Sequence, residues 1–318
     1  GVTGVQTCAL PMSRCKYTDC EDQRDRRSPP GVMRAGKRAL SLAAAGFMGL
    51  CLMACSSFHK SGRVSEPVEI NLQEESGQAE VRQALSDAGI PAEDSQEFFR
   101  EVERFQSAVG DATDEDVMAD RWEKAYPDFV GTNCRITAFM LARSLVKVEG
   151  GTAPAESADE NLFLDLEAIR KAPVELWSGG DNGKFERLFA EVPAADTKDT
   201  SVQCEQVQKA WKERGISFAD GKASIVTVWL HSKLTPEENI LFPGHVGVLV
   251  SENSGKLLFV EKLAFQKQYR ALRFENRASL NAYLMGLYDL DENQPTAHTF
   301  LMENDRMMPE YRVLKKGA

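Results

Sequence analysis

The spacing of apolar residues changes once along this chain, and that change constrains the fold more than any other feature. From about residue 78 to residue 214, apolar side chains recur every three or four positions, as on one face of an α-helix. From Ala223 onward the period becomes two, as in β-strands with one buried face. Helices followed by strands predict an α+β fold, in which N-terminal helices pack on a C-terminal antiparallel sheet.

Turn and cap residues divide the two halves into elements. Helices are predicted at residues 78–88, 98–109, 114–124, 134–148 and 201–214, with a weaker, partly helical zone at 162–169 and 185–192. Strands are predicted at residues 223–231, 245–250, 256–263 and 269–274, followed by a helix at 277–288 and two short strands near 296–302 and 311–314. The sequence contains no internal repeat, so residues 78–318 are expected to form one domain.

The region before residue 78 has the composition of a targeting segment. Residues 33–54 join a basic start to an apolar stretch, Ala39–Leu52, which is shorter than the roughly 20 residues that a membrane span needs. The letters LMAC, which end at Cys55, resemble the bacterial lipobox. This resemblance implies a signal peptide at 33–54 and a lipid attached to Cys55. A plain secretory signal and an uncleaved membrane anchor remain as alternatives.

The start of the mature protein follows from these segments. Met33 is a natural initiator, so residues 1–32, which have no helical or strand period and resemble adapter read-through, are expected to be non-native. Residues 55–77 are polar and are predicted to form a tether. We therefore expect an extracytoplasmic protein whose membrane partner is reached through the lipid at Cys55, in the bacterial cell membrane or outer membrane.

The formal net charge of −10 argues against a nucleic-acid partner, because phosphates require a basic surface. The four histidines form no HExxH motif, and the chain has no Cys-x-x-Cys pair, so a zinc site is not expected. The chain also lacks a glycine-rich phosphate loop and a Gly-x-Ser-x-Gly elbow. We predict no metal, no organic cofactor and no nucleic-acid partner.

Cysteine remains as a candidate catalytic residue type. The chain has seven cysteines, but only Cys134 and Cys204 lie after the predicted lipid site. Cys134 follows Gly-Thr-Asn and opens an apolar helix, where the partial positive charge of a helix N-terminus favours a thiolate. Cys134 is therefore a candidate nucleophile. Two alternatives stay open: a disulfide with Cys204, which suits an extracytoplasmic protein, and a buried cysteine without chemistry.

A thiol nucleophile needs a base, and His245 is the candidate. It begins the strand HVGVLV, and a five-residue loop at Ser251–Gly255 would place it directly opposite Glu261 on the next strand, with Phe259 opposite Gly247. A carboxylate there would orient the imidazole and stabilise its charged form. Two alternatives to these roles stay open. His245 could instead be a hairpin residue packed on a surface, and Glu261 could be a solvent-exposed carboxylate on its strand.

Other residues are candidates for related roles. His231, at the end of the preceding strand, is the rival base. Asn133 and Arg135 flank Cys134, and Tyr126 precedes it by eight positions. These three residues are candidates to hold an oxyanion or to contact a substrate.

A cysteine that starts a helix, a strand-borne His-Val-Gly and a polar residue on the next strand occur in the order found in papain-like enzymes. The order most resembles the NlpC-type cell-wall peptidases, which implies a papain-like fold with Cys134 as nucleophile, His245 as base and Glu261 as its orienting residue. The chain departs from that family's pattern at Asn133, where Asp is usual, and at Arg135, where a small residue is usual. Its third residue is Glu instead of His, Asn or Gln.

Longer stretches resemble a second family. The segments GTNCRITAF, HVGVLV and LLFVEKLAFQKQYRALRF are similar to a bacterial lipoprotein family, the domain of unknown function 4300, over most of residues 76–318. The expected protein is a cell-envelope lipoprotein with a thiol amidase or peptidase domain, acting on a cell-wall peptide or an acylated surface molecule. The alternative is a non-catalytic surface lipoprotein of papain-like fold that binds an envelope component or partner.

Overall fold

The computed structural model describes residues 65–154, 159–233, 235 and 238–314. The expected read-through at 1–32, the signal peptide at 33–54 and the lipid site at Cys55 therefore lie outside the described residues. Within the described ranges, no helix has both the length and the hydropathy that crossing a bilayer requires.

Eight α-helices and ten strands form in the described part of the chain. The helices are α1 (Glu75–Asp87), α2 (Ala92–Val109), α3 (Glu115–Ala125), α4 (Cys134–Ala142), α5 (Asp159–Lys171), α6 (Asn182–Phe189), α7 (Thr200–Glu213) and α8 (Arg277–Tyr288). The strands are β1 (Val68–Ile70), β2 (Val146–Val148), β3 (Val192–Pro193), β4 (Ile216–Phe218), β5 (Ala223–Lys233), β6 (Asn239–Ser251), β7 (Leu257–Lys262), β8 (Tyr269–Phe274), β9 (Phe300–Glu303) and β10 (Arg306–Met307).

The main sheet is antiparallel, and its strands run in the order β1-β8-β7-β6-β5-β9-β10, with β3 paired to β6. Strands β2 and β4 form a separate two-stranded sheet. Helices that precede a mainly C-terminal antiparallel sheet confirm the predicted α+β class.

Both faces of the main sheet are covered, because successive side chains of a strand point to opposite faces. On β6, Val246, Val248 and Val250 belong to the larger apolar core, which also contains most of α4. Leu249 of β6 and Phe259 of β7 belong to a smaller core that includes apolar residues of α8. The sheet therefore separates α4 on one face from α8 on the other.

The segment after Cys134 differs from its prediction. The sequence pattern continued the helix through Val148, but α4 ends at Ala142, and a short 3₁₀ turn leads into β2. Valines at positions 146 and 148 suit a strand, and β4 supplies the hydrogen-bonding partner. Pairing with a distant segment thus outweighs the helical spacing.

Both ends of the domain also differ from prediction. Strand β1 and the start of α1 fall inside the segment predicted as tether, 55–77, because β8 offers β1 an edge to pair with. Residues 311–314 form no strand, whereas β10 pairs with β9 just before them. A strand of two or three residues is too short to show a period in sequence.

Candidate functional site

Cys134 is the first residue of α4, as predicted. Asn133 caps the helix: its backbone is extended, and its side-chain oxygen accepts a hydrogen bond from the Ile136 backbone N–H at 3.0 Å. Every residue of α4 is buried, and Cys134 has 0% exposure. The thiol therefore belongs to the first turn, where backbone N–H groups give a helix its positive end.

The neighbours of Cys134 are tied to the main sheet. The Thr132 hydroxyl lies 2.5 Å from the Tyr269 hydroxyl, at the start of β8. On the other side of the cysteine, Arg135 Nη1 donates to the Pro243 carbonyl oxygen of β6 at 3.2 Å. These contacts hold the start of α4 against β6, which carries His245, and against β8, which pairs with the strand that carries Glu261.

His245 and Glu261 are in contact. His245 Nε2 lies 2.7 Å from Glu261 Oε2, and both side chains are fully buried. The predicted register was wrong by two residues, since Gly247, not His245, is directly opposite Glu261. A shift of two keeps each side chain on its face, so the two residues still meet along the diagonal.

The turn between β6 and β7 explains the shifted register. Ser251, predicted as a loop residue, pairs with Leu257, and the Glu252 N–H donates to the Lys256 carbonyl at 2.9 Å. This leaves a three-residue loop that ends at Gly255, whose φ is +84°. Three-residue hairpin loops commonly end on a glycine in this left-handed conformation.

Glu261 is held at its second oxygen by helix α8. The Tyr283 hydroxyl donates to Glu261 Oε1 at 2.5 Å, and Arg270 Nη1 lies 3.9 Å from the same oxygen. Burial, followed by the nearby charge of Glu261, raises the pKa of Tyr283 well above its usual value. Tyr283 therefore stays protonated and remains a donor to the carboxylate.

The imidazole of His245 lies on the α8 face of the sheet. Its ring stacks on Tyr288, with centroids 5.1 Å apart and planes at 16°, and meets Phe259 edge-on at 6.4 Å. Helix α4 packs on the opposite face. A contact between the thiol and the imidazole would have to pass an edge of β6.

Such an edge exists at His245. On the side of β6 that faces β7, pairing with β3 ends at Leu241 and pairing with β7 begins at Gly247. Among the described residues, no strand pairs with that side of β6 between these two positions. The contact from Arg135 to the Pro243 carbonyl brings the start of α4 to this stretch of β6.

The proposed reacting groups are enclosed in this conformation. Exposure is 0% for Cys134 and His245 and 1% for Glu261. Tyr126, predicted as an oxyanion or substrate contact, packs against Trp122 at a centroid distance of 4.6 Å and lies under the Arg104 guanidinium. A substrate would reach the thiol only after a local opening of the fold.

The disulfide alternative does not hold in this structure, because Cys134 and Cys204 are not bonded to each other. Cys204 faces the core from α7, and burial raises the pKa of its thiol to about 11. At neutral pH this thiol is therefore almost entirely protonated, which makes it a poor nucleophile.

Both ring nitrogens of the rival base, His231, are in hydrogen-bonding contact with other residues. Its Nδ1 accepts a hydrogen bond from the Ala297 N–H at 3.0 Å, and its Nε2 lies 2.7 Å from Asn239 Oδ1. An acceptor at Nδ1 leaves the proton on Nε2, so the ring is a neutral donor to Asn239. Burial lowers the pKa of His231, in agreement with this neutral state.

The sequence pattern did not single out Asp165, which is completely buried. Its carboxylate accepts hydrogen bonds from both Asn133 and Arg135. A signal was present, because Asp165 lies three positions from Leu162 and from Ala168 and so shares the apolar face of its helix. A charged residue on such a face requires a buried partner.

Comparison with known proteins identifies a family. A family model described as Domain of unknown function (DUF4300) matches residues 69–308. No curated protein and no solved structure matches the chain. Among the described residues, no group of three or more His, Cys, Asp or Glu side chains is arranged to hold a metal ion.

Proposed function

The chain belongs to the family described as Domain of unknown function (DUF4300), and we propose, from its own residues, that it is a thiol amidase or peptidase of the cell envelope. The proposal includes a papain-like arrangement of the α+β fold. It also includes lipid attachment at Cys55 and a substrate drawn from cell-wall peptides or acylated surface molecules.

The proposed reaction is an acyl transfer through a thioester. His245 takes the proton of Cys134, the sulfur bonds to the amide carbonyl carbon, and the resulting oxyanion is held by backbone N–H groups of the first turn of α4. The tetrahedral intermediate collapses as the C–N bond breaks and His245 returns the proton to the leaving amine. Water, activated by His245, then hydrolyses the thioester. Glu261 orients the imidazole throughout.

Two of the predicted oxyanion contacts have other partners. The side chain of Asn133 is bonded to the Ile136 N–H and to Asp165, and Arg135 is bonded to Asp165 and Pro243. The backbone of α4 is therefore the better source of donors. Asn133 contributes by capping the helix, which keeps the first turn in place.

One observation carries this proposal: the buried 2.7 Å contact between His245 and Glu261, on a stretch of β6 that the Arg135 side chain contacts at the start of α4. A histidine held by a carboxylate is the arrangement that general-base catalysis uses, because the carboxylate fixes the ring and stabilises the imidazolium. The start of a helix is where a thiolate gains most from the backbone.

The decisive experiment measures hydrolysis of peptidoglycan fragments and of a peptide library by the full-length chain. Cys134→Ala and His245→Ala are each expected to reduce kcat by about 10³-fold or more, because residues that act as one unit fail together. Glu261→Gln is expected to reduce it less, since the base is still present. The matched control is Cys204→Ala, which removes the other thiol that follows the predicted lipid site and should retain wild-type activity.

An unchanged rate in Cys134→Ala would contradict the proposal. Iodoacetamide labelling below pH 7, followed by peptide mass analysis, gives an independent check of the nucleophile. Cys134 is expected to react and Cys204 to stay unmodified, because the pKa of the Cys204 thiol is raised to about 11.

Enclosure of the site favours a second candidate function, a non-catalytic protein that binds an envelope component. The 0% exposure of Cys134 and His245 suits a structural core as well as a closed enzyme. Sedimentation with purified cell-wall sacculi distinguishes the two. Equal binding by the wild type and Cys134→Ala, without release of any product, would favour the binding protein.

A further inference from the structure

Asp165 of α5 connects the two chain neighbours of Cys134. Asn133 Nδ2 donates to Asp165 Oδ1 at 2.8 Å, and Arg135 Nε donates to the same oxygen at 2.9 Å. Arg135 Nη2 donates to Asp165 Oδ2 at 2.5 Å. One carboxylate with 0% exposure therefore accepts three hydrogen bonds from the residues on either side of the candidate nucleophile.

The same network reaches the strand of the candidate base. Arg135 uses a further nitrogen, Nη1, to donate to the Pro243 carbonyl, two residues before His245. A guanidinium that is held at two nitrogens by one carboxylate has little freedom to rotate. Asp165 thus fixes Arg135, and Arg135 fixes the start of α4 against β6.

Stability alone is a weak reason to keep this ion pair. Two charges that are buried together lose hydration, and replacing such a pair with apolar residues is often neutral or stabilising. Arg135 is 4% exposed and Asp165 0%, so the cost of desolvation applies to both. A precise geometry at the start of α4 is a benefit that apolar packing would not provide.

We propose that Asp165 is the positioning residue for Cys134, setting the place of the thiol relative to His245 and balancing the charge of Arg135 beside it. This inference rests on the proposed thiol hydrolase. Asp165 acts through Asn133 and Arg135, the two residues that donate hydrogen bonds to its carboxylate.

The test is Asp165→Asn, which keeps the size of the side chain and removes its charge. The charge of Arg135 then lacks its counter-ion, so the Cys134 thiolate should be favoured and its titration midpoint should fall by about one pH unit. Turnover should nevertheless fall by about tenfold or more, because displaced reacting groups lose rate steeply. The midpoint is read from the ¹³Cβ signal of labelled Cys134 in the full-length chain, assigned with Cys134→Ser.

Glu303→Gln is the matched control. Glu303 also holds an arginine by two bonds, from Arg277 Nε and Nη2, both at 2.6 Å, but it does so between β9 and α8. It is expected to leave the Cys134 midpoint and the turnover unchanged. The inference is wrong if Asp165→Asn leaves the midpoint where Glu303→Gln does, or raises it.

A second pair of variants covers the case in which Asp165→Asn does not fold. Arg135→Lys keeps the cation and loses the two-pronged contact, so kcat should fall about tenfold with little change in KM. Arg277→Lys, its counterpart at Glu303, should match the wild type, and equal kcat values in the two variants would overturn the inference. Absence of hydrolysis in the wild type would refute the proposed function. The titration midpoints of Cys134 measured by NMR would still test whether Asp165 affects the thiol.

Discussion

At the scale of single residues, Glu261 illustrates how a carboxylate is accommodated inside a sheet. It is 1% exposed, and its two oxygens are bonded to different elements, with His245 on β6 and Tyr283 on α8. Arg270 lies near enough to offset its charge. A buried carboxylate is tolerated when its oxygens are bonded in this way.

The Tyr283 hydroxyl should therefore make a measurable contribution to stability. Tyr283→Phe removes a donor to a buried charged group, and the free energy of unfolding is expected to fall by about 1.5–3 kcal/mol. Urea denaturation followed by tryptophan fluorescence measures this loss.

Tyr311→Phe is the control for this prediction. The Tyr311 hydroxyl donates to the neutral carbonyl oxygen of Thr299 at 2.9 Å, so its removal should cost only about 1 kcal/mol. Equal losses in the two variants would show that the charge of Glu261 adds nothing to the bond.

His231 gives a prediction about pH. Burial holds its pKa in the folded protein below the usual 6.5, so between these two values the unfolded chain binds more protons than the folded one. The contribution of neutral His231 to stability is therefore fully present above pH 6.5 and is lost as the pH falls through the lower, folded value.

The measurement compares the wild type with His231→Gln, which does not titrate. The difference in unfolding free energy between them should shrink when the pH is lowered from about 7.5 to about 5.5. A difference that grows over this range would mean that His231 is stabilised in its charged form.

At the scale of elements, the packing of strand β6 depends on Gly247, which has no side chain. A Cβ placed on Gly247 would lie 2.3 Å from Phe259 Cζ, closer than real atoms approach. Phe259 belongs to the smaller core and contacts the His245 ring, so its position affects the candidate site as well as the packing.

Gly247→Ala is expected to lower the free energy of unfolding by about 1–3 kcal/mol, because the added methyl group forces the ring to move. The control is Gly183→Ala in α6, where a Cβ meets no atom within 4 Å. That change should be neutral or stabilising by up to about 1 kcal/mol. Similar destabilisation in both variants, measured by urea denaturation, would argue against a special role for the contact with Phe259.

The limits of α8 and β8 were predictable, whereas the end of α4 was not. For α8, Asn276 provides a side-chain cap, and apolar residues then recur with helical spacing. For α4, the same spacing continued through three residues that instead pair with β4. Local pattern determines an element only where no distant partner competes for the same residues.

At the scale of the whole molecule, Cys134 and Cys204, the two cysteines after the predicted lipid site, are not bonded to each other. Cys204 belongs to the larger apolar core, and Cys134 begins the helix that packs on β6. We expect both to remain thiols in the folded protein under oxidising conditions.

Peptide mass mapping without reduction tests this expectation. Peptides that contain Cys134 and Cys204 should appear separately in the folded protein. The same mapping after oxidation of the urea-denatured chain supplies the control, since the two thiols can then meet. A disulfide-linked peptide pair from the folded protein would contradict this expectation and support a disulfide between Cys134 and Cys204.

The sequence by itself determined the features that depend on neighbouring residues. The change of period predicted the α+β class, the Gly-Thr-Asn-Cys segment predicted a cysteine at a helix start, and alternation put His245 and Glu261 on one face of the sheet. That last inference holds despite an error of two residues in the register, because side chains of a strand point to the same face at every second residue.

Only the tertiary structure decided the features that join distant parts of the chain. The three-residue turn set the true register, Asp165 joined Asn133 and Arg135 across 32 and 30 positions, and packing enclosed Cys134 and His245 completely. It also placed His245 towards α8 while α4 covers the other face. Such contacts depend on how elements pack against one another, and a local pattern of apolar residues carries no information about the partner that each element meets.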